Sequence, residues 1–444
     1  MDPITLAILA SGAAFILLVL RVPIAFCIGI VACVGLLLRF SWAPGTEMDL
    51  VRGLRPTLSI IGTTAYGFVS NYPLSMIPMF IALGHVAFAA GITTDLFDVL
   101  NRRLRFLPGG LAVASVTGCS GFSAITGSSV ACAAAMGRIA VPEMVRHGYD
   151  KRLATGAVAA GGTLGSLIPP SLLFVIYSIF TEQSVRELFV AGIIPGILSL
   201  FGFLLTIFIW CWLKPSAAPR LVQQDTAKTS AARDLISLWP LFLLLAIVIA
   251  GIGYGFFTPT EAAAVSLMSA TLIGLARKKL DWRNLTDAAK ITVQQTAMIF
   301  AVAMAAKIFA TFVSLTRIVP TVLDMIQGVD PSIFIVMGAI VLLYLVIGMF
   351  LDSIGILVLT LPFTVPLVES MGMDLIWFGV IVIKLLEIGL ITPPIGLNAF
   401  VIKSVAPKDT SLGAVFQGCA AFLALDFVVL GLLLAFPVLS LILL

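Results

Sequence analysis

The sequence predicts an all-α polytopic membrane protein built as an inverted repeat, with two re-entrant hairpins and two broken helices. Composition is the first observation, because 60% of the 444 residues are hydrophobic and only 11% are charged, whereas soluble proteins carry about 25% charged residues. A transmembrane helix needs roughly 20 mostly apolar residues, and long apolar stretches recur along the chain. The net charge of +4 comes without a basic face interleaved with aromatic residues, so no nucleic-acid partner is expected.

An internal duplication is the second observation. The segment GSLIPP at 165–170 returns as GLITPP at 389–394, an offset of 224 residues (389 − 165). Further matches at this offset are Ser129 with Ser353, Pro142 with Pro366, Gly148 with Gly372 and Asp150 with Asp374. Both Pro-Pro pairs interrupt apolar stretches. Helix-breaking residues at matching positions of two halves indicate the binding site of a transporter.

Eight segments are predicted to span the membrane as simple helices. They are 4–20, 23–39, 74–92, 188–213, 235–257, 260–276, 286–316 and 410–436. Segment 57–73 is rich in glycine and polar residues, so the sequence leaves open whether it spans the bilayer or lies flat. Segment 94–107 alternates apolar and charged residues at helical spacing, which is typical of an interfacial helix. It is a candidate arm between a fixed and a moving part.

The stretch from Phe106 to Gly137 has no charged residue and is flanked by basic residues on both sides. Basic residues favour the cytoplasm, so both ends of this stretch are expected on that face. A segment that enters and leaves by one face is a re-entrant hairpin, and its tip is predicted near 118–129. The duplicate predicts a second hairpin at about 332–368.

The stretch from Leu153 to Thr181 is also uncharged. At about 1.5 Å per residue it is too long for one straight span, and its glycines and prolines between 161 and 170 are expected to break it in the middle. The duplicate predicts a second broken helix at about 375–402.

The connecting loops predict that the repeat is inverted. Loop 143–152 contains three arginine or lysine residues, whereas the matched loop 367–376 contains two acidic residues and no basic one. The positive-inside rule therefore places the two loops on opposite faces of the membrane. The hydrophilic linker 214–234 and the basic loop 277–279 are both expected in the cytoplasm, which is consistent with this topology.

These elements divide the chain into seven parts, in two halves. They are scaffold helices and arm (1–107), first hairpin and first broken helix (108–187), a spanning helix (188–213), the linker (214–234), scaffold helices of the second half (235–331), second hairpin and second broken helix (332–409) and a C-terminal spanning helix (410–444).

The hairpin tips and helix breaks have the chemistry of an ion site. Unwound backbone within a membrane is tolerated where it is buried in protein or lines a cavity, and it offers free carbonyls to a cation and free N–H groups to an anion. Hydroxyl groups are frequent at these places: Ser120, Ser123, Thr126, Ser128, Ser129, Ser171, Ser353, Thr360 and Thr392. Carbonyl and hydroxyl oxygens suit a hard cation such as sodium. The alternative is that small hydroxyl residues only allow helices to approach closely.

Three charged residues lie inside the second hairpin and the second broken helix. Asp352 aligns with Ser128 at the same offset, and it either binds a cation or caps the broken hairpin. Lys384 and Glu387 are three residues apart on one helical face, so we expect them to pair with each other.

Two other classes of protein are an intramembrane serine protease and a channel. Residues 118–121 (GCSG) match the nucleophile turn of intramembrane serine proteases, but such an enzyme needs a histidine base on a neighbouring span. The only histidine in a predicted span is His85, which is more typical of a packing position, so we expect no enzyme. A channel does not require inverted, broken-helix repeats.

Several motifs together resemble a known family. They are SAITGSSVA at 123–131, GTLGSLIPPS at 162–171, LFVAGIIPG at 188–196 and GLITPPIGLN at 389–398. The combination resembles the large membrane subunit, DctM or SiaM type, of tripartite ATP-independent periplasmic (TRAP) transporters, and the resemblance covers essentially the whole chain.

The resemblance implies an elevator-type transporter similar to the ion-transporter superfamily, in the bacterial inner membrane. It implies sodium-coupled uptake of an organic acid that a periplasmic binding protein delivers, and a separate small four-helix membrane subunit. Dicarboxylates, sialic acids, keto acids and sulfonates would all suit hydroxyls and helix ends. A sodium/dicarboxylate symporter that works without a binding protein shares the architecture and is the alternative.

The resemblance also implies site residues. The first sodium site would use Ser123 and Ser128 with carbonyls near Gly165, Ile168 and Pro169. The second sodium site would use Gly389, Thr392 and Ile395 with Gly348 and Asp352 of the second hairpin. The substrate would lie between the tips, near Ser129, Ser353, Pro170, Pro394 and Asn398.

Overall fold

The structure is a computed structural model, and it describes residues 3–20, 22–42, 47–219, 234, 236–321 and 332–444. Residues 220–233 of the predicted linker lie outside the described residues. Eight helices in the described part are long and apolar enough to cross a membrane. Together with the helical hairpins below, they confirm an all-α polytopic membrane protein.

The first half contains ten helices within the described residues. They are α1 (Pro3–Val19), α2 (Ile24–Ser41), α3 (Leu50–Val69), α4 (Met76–Ala89), α5 (Ile92–Leu104), α6 (Gly110–Thr126), α7 (Ser129–Arg146), α8 (Lys151–Leu167), α9 (Leu172–Thr181) and α10 (Val185–Leu213). Helices α6 and α7 form the first hairpin, and α8 and α9 form the first broken helix.

The second half repeats the hairpin and the broken helix. Its described helices are α11 (Trp239–Gly253, with a π-helical segment at Ala246–Ala250), α12 (Pro259–Ala276), α13 (Trp282–Thr316), α14 (Ile333–Gly348), α15 (Ser353–Ser370), α16 (Leu375–Ile391), α17 (Leu397–Val405), α18 (Leu412–Ala435) and α19 (Val438–Leu441). Helices α14 and α15 form the second hairpin, and α16 and α17 form the second broken helix.

Most of segment 57–73, which the sequence left undecided, belongs to α3, and residues 70–71 lead into a short 3-10 helix, Tyr72–Ser75. Helix α3 begins earlier, at Leu50, because the Asp49 carboxylate accepts hydrogen bonds from the backbone N–H groups of Val51 and Arg52 at 3.0 and 3.2 Å. Most of α3 is exposed, and it buries residues such as Gly53 and Phe68. The segment is therefore a capped helix that packs along one side only.

The duplicated residues adopt the same local structure in both halves. Gly148 and Gly372 both take a positive φ, +78° and +69°, in the loop after the hairpin, a conformation that glycine adopts without a Cβ penalty. Asp150 and Asp374 then cap the next helix, because each carboxylate accepts a backbone N–H of its first turn. The peptide bonds Pro169–Pro170 and Pro393–Pro394 are both cis.

The two broken helices run antiparallel to each other. Lys151, at the start of α8, forms an ion pair with Asp409, just beyond the end of α17. At the other end, the Tyr177 hydroxyl of α9 donates to the Leu375 carbonyl of α16 at 2.6 Å. The start of each broken helix therefore lies beside the end of the other, which is the arrangement that an inverted repeat requires.

Helices α8 and α16 form the centre of the molecule. Every residue of α8 from Leu153 to Leu167, and every residue of α16 from Ile376 to Ile391, is buried. A helix that is buried all round lies in the interior of a large helical bundle. Helix α18 crosses α8 closely, because a Cβ on Gly156 would collide with the backbone of Gly418.

The arm predicted at 94–107 is α5. Its Asp95 carboxylate binds Arg277 at 2.6 Å and Lys279 at 2.8 Å, in the basic loop between α12 and α13. Near its other end, Arg102 and Arg103 both bind Asp234, at 2.9 and 2.5 Å. Charged contacts thus hold both ends of α5 to the second half of the chain.

Candidate ion and substrate site

The tip of the first hairpin is joined to the break in the first broken helix. The turn falls at 127–128, at the end of the predicted range 118–129. Gly127 takes a φ of +61°, and its carbonyl accepts a hydrogen bond from the backbone N–H of Leu172 at 3.1 Å. A Cβ at Gly127 would collide with the carbonyl oxygen of Pro170, so a glycine is required for this close approach.

The duplicated glycine Gly165 lies against the same tip. A Cβ on Gly165 would be 2.8 Å from the backbone carbon of Ser128 and 2.8 Å from the backbone nitrogen of Ser129. The first predicted sodium site therefore brings together Ser128 and Gly165, as expected. Real Cβ atoms do not approach backbone this closely, so the contact requires a residue without a side chain at position 165.

The second half makes an equivalent junction with the other copy of this glycine. A Cβ on Gly389 would be 2.9 Å from the carbonyl oxygen of Gly348. Gly348 ends α14, and Asp352 begins the second arm of the hairpin four residues later. The second predicted sodium site thus also joins one hairpin to one broken helix.

Ser128 and Asp352 are helix N-caps at matching positions. Ser128 Oγ accepts a hydrogen bond from the Ala131 N–H at 3.4 Å, and Asp352 Oδ2 accepts one from the Gly355 N–H at 3.1 Å. The capping role that the sequence left open for Asp352 is therefore present in the structure. A carboxylate holds four lone-pair sites, so capping leaves oxygen lone pairs for a cation.

The other predicted sodium ligands lie at the same two junctions. Ser123 Oγ donates to Cys132 Sγ at 3.3 Å across the first hairpin. Thr392 Oγ1 donates to the Ile388 carbonyl at 2.6 Å. The donors at both junctions are hydroxyl, carboxylate and backbone carbonyl oxygens, which is the ligand chemistry that a hard cation prefers.

The two helix breaks differ in their surroundings. Pro169 and Pro170 are buried, and Ile168 lies against α10, where a Cβ on Gly196 would be 2.8 Å from Ile168 Cγ1. In the second break Pro394 is exposed and Ile395 is 40% exposed. The second break is therefore the open one in this conformation.

Two of the predicted substrate residues hold buried polar atoms that lack a hydrogen-bond partner in the described structure. They are Ser353 Oγ and Asn398 Oδ1, while Asn398 Nδ2 donates to the Ala159 carbonyl at 3.3 Å. A buried polar group without a partner costs about 1–3 kcal/mol. Polar groups of this kind fit a site that a polar ligand completes.

Ser129, the remaining predicted substrate residue, faces inward. Its hydroxyl donates to the Glu387 carboxylate, at 2.9 and 3.0 Å from the two oxygens, and lies 2.7 Å from Ser166 Oγ. A substrate contact at Ser129 would therefore use its backbone or compete with this hydroxyl contact.

The expected pairing of Lys384 with Glu387 is wrong. The Lys384 ammonium contacts Asp426 of α18 and Ser199 of α10, while Glu387 contacts Ser129. Residues three apart on a buried helix point toward different neighbours when those neighbours offer better partners. Asp426 is the only charged residue of the predicted span 410–436, which is a signal for a buried partner, but the sequence does not indicate that the partner is Lys384. Ser199 carries no such signal.

The residues of the protease-like motif have other partners. Ser120 Oγ donates to the Thr117 carbonyl at 2.8 Å, and His85 Nε2 lies 3.1 Å from Gln295 Oε1 on α13. His85 is a packing residue with a satisfied hydrogen bond, as expected.

Comparison with known proteins identifies the family. Residues 11–439 match the family described as tripartite ATP-independent periplasmic transporter, DctM component. The chain belongs to this family.

Two relatives and one solved structure illustrate the match. The chain is 35% identical to the C4-dicarboxylate TRAP transporter large permease protein DctM of Pseudomonas aeruginosa, over 84% of this chain and 86% of that protein. It is 32% identical to the isethionate TRAP transporter permease protein DctMQ of Oleidesulfovibrio alaskensis, over 79% of this chain and 55% of that protein. In fold it is similar to the YdaH transporter of Alcanivorax borkumensis, with a TM-score of 0.63, 13% identity and coverage of 98% and 99%.

As a TRAP large permease, the chain is a transporter component and not an enzyme. The resemblance drawn from the sequence motifs is therefore confirmed. The family name describes a three-part system, so this chain is one component of a larger machine.

Proposed function

We propose that this TRAP large permease carries out sodium-coupled uptake of an organic acid across the bacterial inner membrane. The observation that carries the proposal is the pair of hairpin–break junctions, Gly127–Ser129 with Gly165–Pro170 and Gly348–Asp352 with Gly389–Ile395. Each junction gathers oxygen ligands around unwound backbone within a membrane span. This is the chemistry of a cation site inside a transporter.

Sodium at the junctions would hold each hairpin tip against its broken helix. The N-termini of α9 and α17, together with those of α7 and α15, would then present the backbone N–H groups that their caps leave unused toward the space between the tips. Helix N-termini favour anions through these N–H groups and the helix dipole. Cation binding would in this way prepare the site for a carboxylate or a related anion.

The relatives support the class of substrate. One is named for C4-dicarboxylates and the other for isethionate, and both of these compounds are small organic anions. The hydroxyl and amide groups of Ser353 and Asn398 add neutral hydrogen-bonding partners to the helix ends. We therefore propose a small organic acid as the cargo of this chain.

The transport step would be an elevator movement of the hairpins and broken helices against the scaffold. Lys384 joins α16 to α10 through Ser199 and to α18 through Asp426. This contact supports placing α10 and α18 with the moving part, while α1–α4 and α11–α13 stay fixed. Helix α5 follows α4 of the fixed part and precedes α6 of the first hairpin, and it would connect the two parts along the chain.

The partners in this proposal are a periplasmic binding protein and a small membrane subunit of four helices. The relative named DctMQ, of which this chain spans about half, supports the second partner, because the rest of that protein has room for one. The binding protein would deliver the organic acid to the open face of the permease.

Uptake by proteoliposomes tests the proposal. The large permease is reconstituted with the small subunit and the purified binding protein, and uptake of radiolabelled organic acid is measured with and without an inward sodium gradient. We expect uptake only with both the gradient and the binding protein. Uptake that persists undiminished without sodium would refute the coupling.

A symporter that works without a binding protein is the second candidate, because inverted, broken-helix repeats alone do not require a binding protein. The same experiment separates the two functions. Full sodium-driven uptake in the absence of any binding protein would favour the symporter.

A further inference from the structure

A buried carboxylate joins both broken helices to the first hairpin. Glu387 of α16 is 1% exposed, and Ser129 of α7 and Ser166 of α8 are each 3% exposed. Ser129 Oγ lies 2.9 and 3.0 Å from the two Glu387 oxygens, 2.7 Å from Ser166 Oγ and 3.4 Å from the Thr163 carbonyl. Four oxygen atoms therefore lie within 3.4 Å of Ser129 Oγ, at a place where three elements meet. We call this group the Glu387 cluster.

The Glu387 cluster contains more acceptors than hydrogens. Each serine hydroxyl carries one hydrogen, whereas an ionised carboxylate is an acceptor only, with about four lone-pair sites. The two hydroxyl hydrogens must serve the two carboxylate oxygens and each other's oxygen, while the Thr163 carbonyl lies inside α8, where the helix uses one of its lone pairs. A surplus of oxygen lone pairs facing one another is stabilised by a cation.

The charges of the surroundings lead to the same conclusion. The nearest basic residue, Lys384, is held by Asp426 and Ser199, so its charge is already balanced. When all three side chains are ionised, Lys384, Asp426 and Glu387 together leave one negative charge within the bundle. A buried charge without a partner costs several kcal/mol, and acidic groups inside a membrane tend to be functional.

We propose that the Glu387 cluster is a third monovalent-cation site, which binds sodium through the Glu387 carboxylate, the Ser129 and Ser166 hydroxyls and the Thr163 carbonyl. Hard cations prefer this set of oxygen ligands. The site shares no side-chain ligand with the two sodium sites at the hairpin–break junctions. It rests on the proposed sodium coupling and goes beyond it, because it adds an ion that links the first hairpin to the second broken helix.

The test is the number of sodium ions bound by the purified full-length protein at saturation, measured with radioactive sodium. Glu387→Gln keeps the shape of the side chain and removes its charge. We expect this variant to bind about one sodium ion fewer per chain than the wild type. Equal numbers of bound ions in the two proteins would overturn the proposal.

Two serine variants make the test independent of the folding of Glu387→Gln. Ser166→Ala removes one ligand of the Glu387 cluster, and Ser115→Ala is the matched control, because Ser115 is equally buried but donates to the Leu111 carbonyl within α6. We expect several-fold weaker sodium binding in Ser166→Ala and wild-type binding in Ser115→Ala. Indistinguishable sodium binding in the two serine variants would contradict the proposal.

The failure of this proposal can be told apart from the failure of the proposed function. A wild-type protein that binds no sodium would refute the sodium coupling as a whole. A wild-type protein that binds sodium, with Glu387→Gln binding equally many ions, would refute only the Glu387 cluster as a cation site.

Discussion

At the residue scale, the two copies of one glycine decide how closely the hairpins approach the helix breaks. Gly165 touches the backbone of Ser128 and Ser129, and Gly389 touches the backbone of Gly348. In both places the atoms in contact are main-chain atoms, which cannot rotate away as a side chain can. In the proposed function, this close approach would let backbone carbonyls and hydroxyls from two elements bind one ion.

We expect Gly165→Ala to reduce sodium-driven uptake by about tenfold or more, equivalent to about 1.4 kcal/mol or more in binding. The added Cβ would lie 2.8 Å from the Ser128 backbone, so the hairpin tip must shift. Gly338→Ala is the control, because its Cβ would meet no atom within 4 Å. Uptake by Gly165→Ala equal to that of Gly338→Ala would show that the tip does not need this contact.

At the element scale, a buried ion pair fastens α16 to α18. Lys384 is 1% exposed and Asp426 is fully buried. Lys384 contacts Asp426 Oδ1, and Asp426 Oδ2 has no hydrogen-bond partner in the described structure. Such a pair is expensive to bury, and the loss of one partner leaves the other charge uncompensated. The pair therefore specifies that α16 packs against α18 more than it adds stability.

We expect Asp426→Leu alone to destabilise the protein by about 3–5 kcal/mol, and the double variant Lys384→Met with Asp426→Leu to recover most of that loss. The measurement is the free energy of unfolding in detergent for the two single variants and the double variant. Additive losses in the double variant would show that the two side chains do not act as a pair.

The arm helix α5 gives a prediction that depends on pH. Burial alone would raise the pKa of Asp234, but hydrogen bonds from Arg102 and Arg103 outweigh it and lower that pKa. A carboxyl whose pKa is lower in the folded than in the unfolded state stabilises the fold above the unfolded value, about 3.9, and this contribution is lost as the pH falls further.

We therefore expect the wild type to have a higher Tm than Asp234→Asn near neutral pH, and the difference to shrink below about pH 4. Thermal unfolding of both proteins across this range is the measurement. A Tm difference that does not change with pH would mean that the ion pairs of α5 contribute nothing.

At the scale of the whole molecule, the antiparallel broken helices follow from the duplication. Matching residues at an offset of 224 positions (389 − 165) predicted the hairpins and the breaks, because turns and helix breaks depend on a few local residue types. The loop charges predicted that one copy is inverted, and the contacts Lys151–Asp409 and Tyr177–Leu375 agree.

Contacts between helices were beyond the reach of the sequence. The spacing of Lys384 and Glu387 suggested a pair on one helix, yet each residue bonds to a different helix. The partners of Ser166 and Asp426 could not be predicted, since a single polar residue in an apolar span meets its partner only when the helices pack. Local signals predict where a chain bends, and packing determines which buried charges meet.

The proposed function requires that the two hairpin–break junctions bind the sodium ions that drive uptake. The most direct measurement is uptake against sodium concentration for the wild type, Ser128→Ala, Thr392→Ala and the control Ser411→Ala. The control loses an N-cap of the same kind, because Ser411 accepts the Ala414 N–H at 3.1 Å, at a cost of about 0.5–2 kcal/mol. We predict that Ser128→Ala and Thr392→Ala need several-fold more sodium for half-maximal uptake, while Ser411→Ala follows the wild type. A single sodium curve shared by all four proteins would contradict the account.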